Sequence, residues 1–314
     1  MNPQPNASIL VYTKGFGMRD QTTELVRGEL FLLGGVEQID ERISWYPAED
    51  RGKFVAYNSY LLRSGNDCLL VESGAAAHHV IIREQLRSQL RDGDIFKRIA
   101  VTRNEPECVC NIPNLVKDFG IEAVHSAPQM SALQFFPSDS AESRSESFDK
   151  RSTELLMLEF GVQCIAADEG ESISINGQVR LEPFKTPLRV LPSLWLHDSH
   201  TRTLFCSDIF CASVSERPEI RTNSDVLGKD EMIALMLREL AIKFEWLSRG
   251  RLSGIIETLE DYFAKRDIEI LAPTRGQVIV GAKAVDLRLR ALIEAMKMLN
   301  ARDLPLDASS ALSR

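Results

Sequence analysis

Four of the six cysteines fall in two short segments, Cys108-Val109-Cys110 and Cys206-Ser207-Asp208-Ile209-Phe210-Cys211. A thiolate is a nucleophile, a redox group and a soft metal ligand, so catalysis, metal binding and plain packing are all open to them. Neither spacing is that of a zinc finger or a ferredoxin. Free cysteine is also among the most buried residue types and often only fills a small pocket. Glu105, Glu107 and Asp208 stand in or beside the same segments and add oxygen donors. His78-His79 reads as a surface pair at a helix start, and His125 as structural. His197-Asp198-Ser199-His200 resembles a metal-binding string but falls in a hairpin before a strand at Thr203. Cys68 and Cys164 lie on expected strands and read as core. Thr13 to Met18 has two glycines without phosphate-loop spacing, and neither a Ser-His-Asp order nor a nucleophile elbow occurs.

The elements that must position these residues alternate. Strands are expected at Ser8–Tyr12, Glu29–Leu33 (running into a Gly34-Gly35 turn), Lys53–Leu62 and Asp67–Glu72, then a helix over about Ala77–Leu90. A buried strand at Phe96–Thr102, a loop and a helix at Ile112–Phe119 follow. Residues 137–152 are rich in Ser, Asp, Glu, Lys and Arg, and read as a flexible surface insertion. Strands resume at Val162–Ala167, Ser172–Ile175, Val179–Pro183 and Thr203–Ser207, with a hairpin signal at Asn176-Gly177. Helices are expected at Asp230–Leu247, Gly254–Ala264 and Lys283–Asn300. The order indicates an α/β sandwich. In the last helix Val285, Leu289, Leu292, Met296 and Leu299 form an a/d seam of about two heptads, which points to a homodimer or a signalling helix, or to packing on its own domain.

The chain has 314 residues, 44% hydrophobic and 26% charged, enough for one large or two average domains. A net charge of −8 argues against nucleic acid or an anionic membrane as partner. No apolar run reaches the roughly 18 residues of a membrane span. Met1–Ser8 has no signal-peptide core, so a cytoplasmic location is expected, where six cysteines are not a disulfide frame.

Several segments in order resemble the metallo-β-lactamase fold, in its flavodiiron and oxygen-binding di-iron branch. Leu33–Asp40 resembles the opening strand, Ala56–Leu62 the Tyr-Asn-x-Tyr-Leu-Ile strand, and Leu69–Gly74 the strand after it. Thr102–Cys108 sits where His-x-Glu-Pro-Asp-His would be, Leu204–Phe210 resembles Leu-Phe-Ser-x-Asp-x-Phe, and Ile270–Gly276 resembles the Pro-x-His-Gly segment. The resemblance implies an αββα sandwich over residues 1–281, with 282–314 as a C-terminal helix and tail. It also implies a di-iron site that this sequence departs from: the ligand positions read Arg103, Glu105, Glu107, Cys108, Val190, Asp208 and Arg275. Guanidinium stays protonated and cannot ligate a cation.

In that fold the two cysteine segments meet at the metal centre. The resemblance therefore implies a site of Cys108, Cys110, Cys206, Cys211, Glu105, Glu107 and Asp208 holding an iron–sulfur cluster or iron, with Arg103 and Arg275 offsetting its negative charge. No flavin is expected, since nothing after Gly281 resembles a flavodoxin module. The leading expectation is a cytosolic redox or O2/NO sensor feeding a signalling output domain. Two alternatives stay open: a metal-dependent hydrolase or phosphodiesterase using Glu105, Glu107 and Asp208, and a metal-free scaffold in which Arg103 and Arg275 pair with those carboxylates.

Overall fold

The computed structural model describes residues 22–43, 46–127, 162–188, 192–225 and 227–300. The expected strand at Ser8–Tyr12, the 137–152 insertion, Val190 and the tail after Asn300 lie outside them. Among the described residues the centre is two seven-stranded sheets. The first runs β1 (Thr23–Val26), β2 (Leu30–Gln38), β3 (Phe54–Ser64), β4 (Asp67–Val71), β5 (Ile95–Ala100), β6 (Ala123–Ser126), β7 (Gln163–Ala166), in that spatial order. The β1–β4 pairs are antiparallel and the β4–β7 pairs parallel. The second contains β8 (Ile173–Ile175), β9 (Gln178–Lys185), β10 (Leu194–Asp198), β11 (Thr203–Phe205), β12 (Thr222–Asn223), β13 (Ile270–Ala272) and β14 (Val278–Val280), ordered β12-β14-β13-β11-β10-β9-β8.

The period of two along each strand sorts side chains into layers. Leu30 and Leu32 of β2 join Tyr60, Leu62, Leu69 and Val71 between the sheets, against Leu181, Leu194, Leu196 and Phe205. Phe31 and Leu33, one residue out of phase, face outward to α1 (His79–Gln89), α2 (Pro106–Val109) and α3 (Ile112–Phe119). On the far side α4 (Lys229–Lys243), α5 (Ser253–Ala264) and α6 (Ala282–Asn300) cover the second sheet. This is the αββα sandwich of the metallo-β-lactamase type.

One local expectation changes. Gly34-Gly35 is not a turn, because β2 continues through it to Gln38. The glycines serve close approach: a Cβ on Gly34 would stand 2.0 Å from the Tyr57 carbonyl oxygen, and one on Gly35 2.4 Å from the His78 ring. On α1, Ile82 and Leu86 are buried, while Val80 is 57% exposed. The seam of α6 is filled from within, since Val285, Leu292 and Met296 are buried in the core that α4 and α5 share. A dimer through that seam would require α6 to leave its own domain. No helix among the described residues is long and apolar enough to cross a membrane.

Candidate functional site

Three loops meet where strands of both sheets end. The first follows β5, carries Arg103 and Glu105, and enters α2 at Pro106, whose missing N–H costs nothing at a helix start. The second follows β11, where Ser207 and Phe210 take left-handed conformations (φ 58° and 63°). It is therefore coiled, so Cys206 and Asp208 do not share a strand face. The third is the β13–β14 turn carrying Arg275. Thr274 N–H donates to Ser207 O (2.7 Å), Asn58 Nδ2 donates to Pro273 O and Gly276 O (both 2.9 Å), and Tyr60 Oη donates to Pro273 O (2.6 Å). A Cβ at Gly276 would meet Cys211 O at 2.7 Å, so only glycine lets these two loops touch.

At their junction lies a buried set of guanidinium and carboxylate groups. Arg103 Nη1 is 3.1 Å from Asp208 Oδ2, its Nε is 3.4 Å from Glu105 Oε2, and its Nη2 pairs with Glu107. Arg275 Nε donates to the same Glu107 oxygen at 2.9 Å, and its Nη2 also pairs with Glu107. Arg275 in turn lies over the Tyr57 ring, 5.5 Å from its centroid. Arg103 and Arg275 are each 3% exposed, Glu107 6% and Asp208 4%. Burial alone would raise the Glu107 pKa, but the two guanidinium groups draw it down to about 2. Burial would lower that of Arg103, and the facing groups, Glu107 and Glu105 among them, hold it above the ordinary value.

The cysteines do not gather into one set. Cys108, fully buried, faces Glu72, whose carboxyl accepts from Thr102 Oγ1 (2.5 Å) and Thr102 N–H (3.2 Å). Burial pushes both groups up, the thiol well above its usual range and Glu72 to about 7. Cys206 and Cys211 direct their sulfurs at one carbonyl, Ile209 O, at 3.4 and 3.9 Å. Cys110, part-exposed, follows α2. Burial raises the thiols of Cys206 and Cys110 as well.

No family model matches the chain, and no curated protein does. Solved structures do. A rubredoxin:oxygen oxidoreductase from Desulfovibrio gigas superposes with a TM-score of 0.62 at 15% identity, over 88% of this chain and 62% of that one. A metal-soaked Flv1 flavodiiron core from Synechocystis gives 0.63 at 10% identity, over 90% and 62%. A diflavin flavoprotein fragment from Nostoc gives 0.62 at 12%, over 89% of this chain and 96% of that fragment. The fold is that of a flavodiiron core. This chain spans less than two thirds of the length of the first and second of these proteins.

Set on the flavodiiron core, Arg103, Arg275, Glu105, Glu107 and Asp208 meet, as one of the sequence readings has them. As a di-metal or cluster site the residues present do not fit. Two permanent cations stand between the carboxylates, and among the described residues no three His, Cys, Asp or Glu side chains converge so as to hold a metal ion. The ligand set of four cysteines and three carboxylates expected from the sequence is replaced here by ion pairs and by thiols facing Glu72 and Ile209 O. The histidines stand elsewhere. His78 is buried rather than on the surface, 3.1 Å from Glu37; His79 is 3.3 Å from Asp118. His197 and Asp198 lie on β10, and Asp198 receives both Nε (3.0 Å) and Nη2 (2.7 Å) of Arg180.

Sequence reasoning missed Glu72, Glu239 and Lys243. Glu239 of α4 is fully buried and accepts from Cys211 N–H at 2.7 Å; Lys243 Nζ donates to Asp208 O at 3.4 Å. A charged residue on the apolar stripe of a helix was the available signal for Glu239. These two side chains tie the Asp208 loop to α4, and α4 packs along α6.

Proposed function

We propose that the chain is a metal-free core of the flavodiiron type, which serves a redox or gas-handling system as a binding and relay module rather than as its catalyst. The observation that carries this reading is the Arg103 guanidinium, buried where a metal would stand and matched by Glu107, Asp208 and Glu105. A guanidinium is a fixed, always-charged fork that suits carboxylates and supplies no electron pair to a metal. The loops are thus held in the family's arrangement by ion pairs instead of coordination bonds. Glu239 and Lys243 give the loop of Asp208 a physical link through α4 to α6, the route along which a signal would pass.

The thiolate-ligated sensor centre expected from the cysteines draws less support, because Arg103 stands among the donors and Cys108 faces a carboxyl group. The hydrolase reading needs Glu105, Glu107 and Asp208 free to bind metal or water, and Arg103 engages all three. The test is elemental analysis of protein purified without oxygen, followed by titration with ferrous iron and zinc. Metal well below one equivalent, with an unchanged unfolding midpoint on titration, is expected. A brown protein, or one equivalent of iron that survives dialysis, overturns the proposal.

A further inference from the structure

At the opposite end of the sandwich lies a second arginine cluster. The strands β4 and β11 each lead from this end to the loops of the Arg103 centre, a run of roughly 15 Å for the five residues of β4. A cleft of about 300 Å³ opens here, lined by Arg63, Arg91 and Arg180 with Ser64, His200 and Glu29. Three arginines and a histidine line it with one acid, Glu29, among the described residues.

The principal acids of Arg63 and Arg180, Asp94 and Asp198, line no part of the cleft; Glu29, which does, stands 3.7 Å from Arg180 Nη2. Asp94 takes Arg63 Nη2 at 2.8 Å, and Asp198 takes two donors of Arg180. Arg63 is further fixed by Gln89 O (2.6 Å) and the Phe31 ring, and is 3% exposed; its Nε is buried without an oxygen acceptor among the described residues. Two guanidinium groups are thus held rigidly at the cleft by carboxylates standing outside it, an arrangement that lowers the ordering cost of binding. Arg91, exposed on the segment after α1, makes no side-chain ion pair among the described residues. Glu29, 2.9 Å from His200, is the one carboxylate lining the cleft among the described residues.

We infer that this cleft binds a small phosphate-bearing ligand, with Arg91 as the cation that closes on it. The planar fork of arginine suits a tetrahedral dianion, and the volume is at the small end for ligand pockets, enough for a phosphomonoester. The site is independent of the reading given above for the Arg103 centre.

Calorimetric titration of the full chain with inorganic phosphate and with phenyl phosphate, at constant ionic strength balanced by chloride, tests it. Saturable binding at one site per chain is expected. Arg91→Gln should weaken it about tenfold or more while leaving the unfolding midpoint in place. Tighter binding of phenyl phosphate identifies an esterified ligand; tighter binding of inorganic phosphate identifies the free ion. No saturable heat with either probe, or equal affinity in the Arg91→Gln variant, overturns the inference. So does loss of the heat when chloride alone is raised by the amount of phosphate added.

Discussion

The two ends of strands β4 and β11 carry arginines in opposite settings. At the Arg103 end the carboxylates face the guanidinium groups and close the centre: Glu107 accepts from both, and Asp208 and Glu105 flank Arg103. At the Arg63–Arg180 end Asp94 and Asp198 stand outside the cleft, Glu29 touches Arg180 only at 3.7 Å, and Arg91 is exposed with no side-chain ion pair among the described residues. The placement of the acid, more than the number of arginines, separates a centre that holds loops together from one that can accept an anion.

The largest effect should come from removing an acid at either end. Glu107→Ala removes the carboxylate that two buried guanidinium groups share, and Asp198→Ala removes the carboxylate that takes two donors of Arg180; each should cost about 3–5 kcal/mol in urea unfolding. If Glu107→Ala cost no more than an average surface change, the Arg103 centre would not be the clamp described here. Next in size is Glu72. Its folded pKa of about 7 lies above the unfolded value, so it favours folding at low pH and destabilises progressively as pH rises from about 4.5 to 7. Glu72→Gln keeps an acceptor for Thr102 and should flatten that slope, gaining about 3 kcal/mol at pH 7.5 relative to the parent. Glu107 acts with the opposite sign: its depressed pKa gives stability present above about pH 4.5 and lost as pH falls toward 2. A Glu107→Gln variant should therefore lose least, relative to the parent, at the acid end of the pH–stability curve.

Smaller effects sharpen the contrast. In native protein a water-soluble disulfide reagent should modify Cys110 and Cys164, both part-exposed, well before Cys68, Cys108, Cys206 and Cys211. Early labelling of Cys108 would place an opening at the Arg103 end. Smallest of all, Arg91→Gln should shift stability by no more than about 0.5 kcal/mol, since its side chain is exposed.

The sandwich was legible because burial on both faces leaves clear apolar runs, as in Asp67–Val71, and because α3 is bounded by Pro113 and Gly120. The strands β13 and β14, three residues each, went unread, whereas β8, equally short, was marked by the Asn176-Gly177 turn signal beside it. Gly34-Gly35 reads as a turn because sequence shows glycine's freedom and hides the Tyr57 backbone against which it packs. At the site, the pairing of Arg103 and Arg275 with the carboxylates was one of several readings, since opposite charges in converging loops must be matched when buried. The cysteines misled because proximity in a fold does not fix direction: a single rotamer aims Cys108 at Glu72 and Cys206 at Ile209 O. Glu239 escaped because its partners are the backbone N–H groups of Phe210, Cys211 and Ala212, with Cys211 28 residues upstream in the chain.

The sharing of Glu107 between two arginines has an evolutionary consequence. Replacing Arg275 alone leaves Glu107 held by Arg103; replacing Arg103 alone removes the guanidinium that Asp208, Glu105 and Glu107 all face. Each single replacement disturbs a buried ion pair, so the effects of the two changes are coupled. Such a centre resists piecemeal change: the two arginines are expected to be retained or replaced together.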